Sequence, residues 1–516
     1  MMGNATAAES GSLLLQVGER VAQELTLLRS LLAAVVLLIT YRSILTIRQY
    51  YRLRHIPGPP TTGISKIWML RNELGGRMNL VLEDITKKYG PIVRIAPNIL
   101  VTNDPELVKR YLGVRSAWTR SNWYNGSRFI PNRDNIVSMT DDKLHTKLRA
   151  KMAAGYSGKE VDNFEAMIDH MVLALVDLLG TKYIAAGKPF DFARKAQYFT
   201  TDVISLVGFS EPFGFLANDT DMYNYIELIE KILPVVMVNT VYPVFVKVQS
   251  LPIFRGLQPS HTDAVGFGKV LGLVRKTAHE RFGPSKKVKK DMLGAFVAHG
   301  LTIDESESEI ITQIIAGSDT TATAISATML HIITSPRVWT RLRAELDAAG
   351  IPARPRDSVI TDAEARTLPY LQAVIKEGLR IHPPVVGLNP RVVPAGGDTF
   401  KGIHLPAGTE IGWASWGITR RADLWGADAG EFRPERWLDA GPERVKEMEG
   451  LVELVFAHGK WQCLGRNVAM MELNKVFVEV IRWFDLALVN PTNPWKSFSA
   501  GLFQQSDLWV RGSYRD

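Results

Sequence analysis

The sequence predicts a mainly α fold with small β-sheets (α+β), carried behind one N-terminal membrane-spanning helix. Three observations carry this expectation. Residues 25–41 form an apolar run broken only by Thr26, Arg29, Ser30 and Thr40, and Ile44, Leu45 and Ile47 extend it. From about residue 104 to 350, apolar positions recur mostly at helical spacing. The β-rich runs are short, such as 92–96 and 99–101 separated by Pro97-Asn98, which reads as a small hairpin.

The anchor comes first. A membrane-crossing helix needs ~20 mainly apolar residues, and Arg29 near one end can snorkel to the interface. Residues 1–24 hold three glutamates and one arginine, while 25–72 hold no acid. Arg42, Arg48, Arg52 and Arg54 follow the apolar stretch, so the positive-inside bias puts everything after it in the cytosol. A cleaved signal peptide would begin basic and end at small residues, which this segment does not; a buried helix of the fold is the plainer alternative. Pro57-Gly58-Pro59-Pro60 gives a stiff extended spacer. The expected organisation is a lumenal N-terminus (1–24), a transmembrane anchor (25–47), a basic and Pro-rich linker (48–60) and a single cytosolic catalytic domain (61–516). Asn4-Ala5-Thr6 matches a glycosylation sequon that this topology turns to the lumen.

A chain of 516 residues would ordinarily divide into several domains. It carries no Gly/Ser-rich linker and no repeat, so beyond residue ~60 it reads as one unit. The net charge of +8 admits nucleic acid, an anionic membrane or an acidic partner. The basic residues are scattered without an aromatic-studded motif, which speaks against nucleic acid. The single cysteine, Cys463, excludes an intramolecular disulfide and any multi-cysteine zinc or iron–sulfur site. A lone cysteine is by default a small buried hydrophobe, so its surroundings must decide.

Among the body elements, the spacing predicts one long helix over 303–334. Thr302 and Glu305 form a capping-box pair at its start, and Pro336 lies past its end. At ~1.5 Å per residue it is on the order of 48 Å long. A second helix covers 370–381, opened by Pro369 and stopped by His382-Pro383-Pro384. Residues 400–413 alternate around Pro406-Ala407-Gly408 as a hairpin, and 468–484 repeat apolar residues at helical spacing.

Two segments break local rules. Phe456-Ala457-His458-Gly459-Lys460-Trp461-Gln462-Cys463-Leu464-Gly465 stands just before the last helix. Two glycines around the cysteine allow a tight loop close to a large planar ligand, and N–H groups at a helix start favour a thiolate and depress its pKa. In the middle of the long helix, Ala316-Gly317-Ser318-Asp319-Thr320-Thr321 places a glycine, an aspartate and two threonines where helix propensity disfavours them. Such departures are expected at functional sites.

With these motifs the chain resembles the cytochrome P-450 superfamily over roughly residues 57 to 512. Phe456, Gly459, Cys463 and Gly465 match F-x-x-G-x-R-x-C-x-G, and Ala316–Thr321 match A-G-x-D-T-T. Glu377 and Arg380, at i and i+3 where they can pair, match E-x-x-R. Phe432 to Arg436 match F-x-P-E-R, and His145 to Arg149 stand in the place of W-x-x-x-R. The cysteine loop and the His145–Arg149 segment are similar to fungal members related to pisatin demethylase and benzoate hydroxylase.

The resemblance implies the cytochrome P-450 fold, haem b with Cys463 as axial thiolate, dioxygen as co-substrate and NADPH electrons through a flavoprotein reductase. A thiolate ligand favours O–O cleavage. Gly317 would let the helix pass close to haem, while Thr320 and Asp319 would handle oxygen and its protons. Glu377, Arg380 and Arg436 would lock the pocket. Arg391, Arg149 and His145 would contact haem propionates, with an ordinary exposed histidine as the alternative for His145. Trp461 stands where the family has arginine, so either Lys460 or the Trp461 indole N–H takes that contact. Lys143, Lys147, Lys151 and Arg466 either dock the reductase or form a solvated basic face.

The expected reaction is monooxygenation, a hydroxylation or O-dealkylation of a small hydrophobic substrate in fungal secondary metabolism, at the endoplasmic reticulum membrane. Segments 116–139, 206–254, 385–390 and 499–504 would line the substrate space. A reductase-independent haem-thiolate isomerase or dehydratase, and a non-catalytic haem ligand binder, are the rival readings.

Overall fold

One continuous helix, Ala5–Leu53, opens the chain in the computed structural model, which describes residues 5–515. Asn4 and its expected glycosylation lie outside the described residues. Within this helix, Gln23–Leu53 is long and apolar enough to cross a membrane and packs none of its apolar window against the body. It runs on through Arg48 to Leu53, where a linker was expected, because the first strong breaker is Pro57. Leu53 and Ile56 are buried against Leu405 and Ile411, tying the helix end to the body.

The body is mainly helical, built around Ile303–Ile333. Both halves of the expected capping box form: Thr302 Oγ1 accepts from Glu305 N at 3.3 Å, and Glu305 Oε2 accepts from Thr302 N at 2.8 Å. This central helix is buried along most of its length, as its run of apolar and small residues dictates. The helix Phe192–Phe209 packs along it, and Thr200 Oγ1 donates to Ser318 O at 2.8 Å. Helix Pro369–Ile381 crosses close by at Gly378, where a Cβ would stand 2.0 Å from Thr328 Oγ1. Behind both lies the C-terminal helix Arg466–Trp483, whose middle is fully buried.

The largest sheet has five strands in the order Ile92–Ala96, Ile99–Thr102, Glu410–Trp413, Arg391–Val392 and Thr119–Arg120. The expected hairpin at 92–101 is its first pair. The expected hairpin around Pro406–Gly408 is corrected. The tight turn is Lys401-Gly402, both at positive φ, and it joins Asp398–Phe400 to Ile403–Leu405. Glu410–Trp413 instead leaves to pair with Ile99–Thr102 and Arg391–Val392. That departure matters, because it brings Arg391 and Arg120 to one edge of the sheet.

Candidate active site

The cysteine loop is a short folded unit. Cys463 N donates to Phe456 O at 2.8 Å, closing the loop on its own start. Gly459 adopts φ +61°, and a Cβ there would stand 2.5 Å from Leu112 O, so no other residue fits without displacing backbone. Gly465, at the N-terminus of the last helix, has only ordinary contacts around a built Cβ. Ala457 holds φ 60°, ψ −165°, a region that glycine prefers, and stores strain immediately before the loop. The Cys463 side chain is solvent-accessible although protein surrounds it. Burial raises its thiol pKa and outweighs the lowering by the Gly465 and Arg466 N–H groups and by Arg149. The helix start thus lowers this pKa as the sequence leads one to expect, and burial opposes it more strongly. Arg149 Nη1 also holds the loop from outside, donating to Gln462 O at 2.6 Å.

On the central helix, Ala316 is exposed and Gly317 and Thr320 are half-exposed, in the middle of an otherwise buried run. Thr320 Oγ1 donates to Ala316 O at 2.7 Å. A Cβ on Gly317 would approach Ile204 Cγ1 at 2.8 Å, so this glycine makes room for a side chain of the helix Phe192–Phe209. Asp319 is buried, and its Oδ1 accepts from Gln197 Nε2 at 2.7 Å. Burial pushes its carboxyl up to about 6, with Gln197 opposing and Glu230 adding to the rise.

A cluster of cations gathers around Trp461. Arg120 and Arg391 place their guanidiniums 4.4 and 4.6 Å from its ring centroid, and His145 packs at 4.5 Å. Trp461 is buried and its Nε1–H has no partner among the described residues. Arg391 also bonds Tyr124 Oη and Asn389 O. Arg120 donates to the carbonyls of Ile136, Val137 and Met139, and burial pushes it down to about 9. His145 is only 2 % exposed. Burial, then Arg120, Arg149, Arg391 and Lys460, push it down to about 3, which makes it a neutral ring. Lys460 is engaged elsewhere, 2.6 Å from Asp142 Oδ2. Among the described residues no carboxylate pairs with Arg120, Arg149 or Arg391. Arg120 escaped the sequence reading because nothing local marks it; only strand pairing with Arg391 brings it here.

The Glu377–Arg380–Arg436 lock is complete. Glu377 Oε1 accepts from Arg380 Nη2 at 2.7 Å, Arg436 Nε at 2.9 Å and Arg433 N at 2.9 Å. Its Oε2 accepts from Arg380 Nε at 2.9 Å and Trp437 Nε1 at 3.0 Å. Arg380 spends its remaining N–H groups on the carbonyls of Thr419, Ala429 and Glu431. Every oxygen of this buried carboxylate is thereby satisfied.

The four apolar segments expected to line a substrate space do meet. Val386 N and Gly387 N donate to Gly501 O at 2.8 and 2.9 Å. A Cβ at Gly387 would touch Trp123, and one at Gly501 would touch Met237. Of the four basic residues considered for docking, Lys151 pairs with Glu305 at 2.7 Å and Arg466 with Glu453 at 2.9 Å. Lys143 and Lys147 are exposed.

This donor set fits haem. A thiol is accessible at one loop, and buried Arg391 with half-buried Arg120 and Arg149, which pair with no carboxylate among the described residues, beside the partnerless indole N–H suit the two propionates.

The family model described as cytochrome P-450 matches residues 57–508. The chain is 40% identical over 477 residues to cytochrome P-450 monooxygenase ABA1 of Pyricularia oryzae, covering 90% of this chain and 93% of that one. It is 38% identical over 466 residues to cytochrome P-450 monooxygenase aba1 of Botryotinia fuckeliana, covering 89% and 91%. Cytochrome P-450 monooxygenase abl1 of Leptosphaeria maculans is 37% identical over 474 residues, covering 90% and 83%.

Proposed function

The chain belongs to the cytochrome P-450 family as a haem-thiolate monooxygenase, and from that premise we propose that it hydroxylates or O-dealkylates an apolar organic substrate in fungal secondary metabolism. The observation that carries this reading is the intact Asp319–Thr320 pair on a helix that opens to solvent at Ala316, Gly317 and Thr320.

When bound, haem b activates dioxygen with NADPH-derived electrons passed on by a reductase. Cys463 would hold the haem iron through its sulfur, and the bound cation would favour the thiolate that burial disfavours. Arg120, Arg149, Arg391 and the Trp461 indole N–H would hold the propionates, Lys460 being engaged with Asp142. His145 donates as a neutral ring or packs Trp461 in position. Asp319 would supply the proton on this helix, and Thr320, whose hydroxyl proton is given to Ala316 O, would offer its oxygen as an acceptor on the exposed side. Glu377, Arg380 and Arg436 keep the segment before the cysteine loop in register. Apolar residues where Trp123, Met237, Gly387 and Gly501 converge admit a hydrophobic substrate and exclude water.

The helix Gln23–Leu53 anchors the protein in the endoplasmic reticulum membrane as a single span. The arginines after the apolar run put a catalytic domain spanning 61–516 on the cytosolic side. Of the four basic residues considered for docking, Lys143 and Lys147 are exposed and would meet an acidic reductase surface.

The test is spectral and catalytic. Reduced protein under carbon monoxide gives a thiolate-type Soret band that Cys463→Ala abolishes. Microsomes supplemented with reductase consume NADPH and form an oxygenated product from any compound of a metabolite panel that shifts the haem to high spin. Survival of the band in Cys463→Ala sinks the proposal, and so does the absence of NADPH-dependent product from every spin-shifting compound.

A further inference from the structure

We propose that Glu309 is a positioning residue for substrate: from the central helix it holds residues 128–139 as a strap across the face that opens at Ala316, and so sets how readily the strap lifts. The proposal rests on the monooxygenase reading above, because the space under the strap is the one assigned there to substrate.

Glu309 and Ala316 lie seven residues apart on one helix, about two turns, so they share a face at a separation of roughly 10 Å. Glu309 is buried, and its Oε1 accepts from Ile136 N at 2.7 Å. Arg120 Nη1 donates to the carbonyls of Ile136, Val137 and Met139 at 2.7, 3.0 and 3.0 Å. The backbone at 136–139 is thus gripped by an acceptor on the central helix and by a donor from the Trp461 cluster. Phe129, Ile136 and Met139 of this segment are half-buried against the main core.

The segment also closes on itself. Asn135 Oδ1 accepts from Val137 N and Ser138 N at 2.9 and 2.8 Å, and Asn135 Nδ2 donates to Ser127 O at 2.9 Å. Arg128 pairs with Asp134 at 2.7 Å. A loop packed by its own side chains moves as a unit. Arg133 ties its outer edge to Asp304 and Glu307 at 2.7 and 2.6 Å, but Arg133 is partly exposed, so these pairs hold it weakly. The buried bond from Glu309 is the stronger hold.

A carboxyl in this place makes the hold sensitive to protons. Glu309 Oε2 is buried without a hydrogen-bond partner among the described residues. Burial pushes the carboxyl up to about 8, with the Ile136 N–H opposing and Glu305 adding to the rise. Glu305, itself paired with Lys151, and Tyr156 are the titratable groups that face it. Under the closed strap the carboxyl keeps its proton at neutral pH; exposed to water it ionises near its ordinary 4.5. The closed form therefore binds more protons, and closure weakens as pH rises between 4.5 and about 8.

Carbon monoxide, which has no titratable group, is the probe. In the full-length holoenzyme its rebinding after flash photolysis reads how open the pocket is. Hydrogen exchange in peptides covering 128–139 reads the strap itself. Glu309→Ala is expected to speed rebinding about five- to tenfold at pH 6, as the loss of one buried hydrogen bond implies, and to speed exchange in 128–139 alone. Glu309→Gln keeps an acceptor for the Ile136 N–H and has no proton to lose. It restores the wild-type rate at pH 6 and stays flat to pH 8, where the wild type quickens about tenfold. Unchanged rebinding and exchange in Glu309→Ala overturn the proposal, as does a pH response in Glu309→Gln equal to the wild type's. Faster exchange throughout the chain would make Glu309 merely structural and overturn it too. If Glu309→Ala does not take up haem, the pH profile of Glu309→Gln decides. A wild-type protein without the carbon monoxide band sinks the monooxygenase reading instead, and exchange in 128–139 still tests the strap.

Discussion

Arg120 and Arg391 stand directly opposite each other in an antiparallel strand pair, and both guanidiniums lie against the ring of Trp461. Like charges across a strand pair are destabilising, and burial adds to the cost. The indole face offsets part of this by cation–π attraction. A bound anion would offset the rest, which is the role proposed above for Arg120 and Arg391 toward the haem propionates.

Trp461→Ala is therefore expected to destabilise the fold by about 3–5 kcal/mol through lost packing, and to shed haem. Trp461→Phe keeps a ring under both arginines and loses only the N–H, so its haem retention falls between the two. The haem-to-protein absorbance ratio after gel filtration, with a thermal melt, reads both effects. Full haem retention by Trp461→Ala would remove Trp461 from the propionate site.

Asp319→Asn retains an oxygen that can accept from Gln197 and loses the proton, so turnover should fall about a hundredfold or more. Stability moves the other way. The folded carboxyl lies near 6, above its ordinary value of 3.8, so the folded protein binds more protons there and loses stability as pH rises through that window. Above pH ~6 the penalty is complete, on the order of 3 kcal/mol, and the asparagine variant escapes it. Melting curves should show the gain of the variant in full at pH 8, at roughly half of that at pH 5, and almost none of it at pH 3. Glu230, Arg194 and Tyr225 face the same carboxyl, so the window shifts if they are changed.

Gly317→Ala places a methyl 2.8 Å from Ile204 Cγ1 and should cost about 1–3 kcal/mol in stability. Adding Ile204→Ala removes the obstacle. A double-mutant cycle in denaturant measures the coupling, which should be favourable by about 1 kcal/mol or more. Additive single effects would mean that Gly317 is needed on its other side.

Glu377→Ala leaves Arg380 and Arg436 buried without their shared carboxylate, at an expected cost of about 3–5 kcal/mol. The yield of holoprotein showing the carbon monoxide band should collapse before any change in substrate-induced spin shift is seen. A Glu377→Ala holoprotein with wild-type melting would contradict the lock.

Local pattern made part of this site legible. The capping pair Thr302 and Glu305 marked the start of the central helix, and Pro369 marked the helix that carries Glu377 and Arg380. Glycines at 459 and 378 are where backbone or a neighbouring helix comes close. Other assignments depended on partners distant in the chain. Lys460 neighbours Trp461, yet Asp142, on another element, takes its charge. Lys151 and Arg466 read as part of a free basic face until Glu305 and Glu453 came within 3 Å of them. The hairpin expected at 400–413 failed because alternation reports which face a residue shows and not which strand it pairs with.

By itself the sequence determined that this chain holds a mainly helical body behind an apolar helix, and that Cys463 stands in a glycine-bracketed loop at a helix start. Those features follow from periodicity, caps and backbone freedom, which act over a few residues. Only the tertiary structure decided what surrounds that loop: Arg120 opposite Arg391, Trp461 between them, and Gln197 on Asp319. Electrostatics and hydrogen bonds act over a few ångströms in space, and strand pairing and helix crossing choose which distant residues come within that reach.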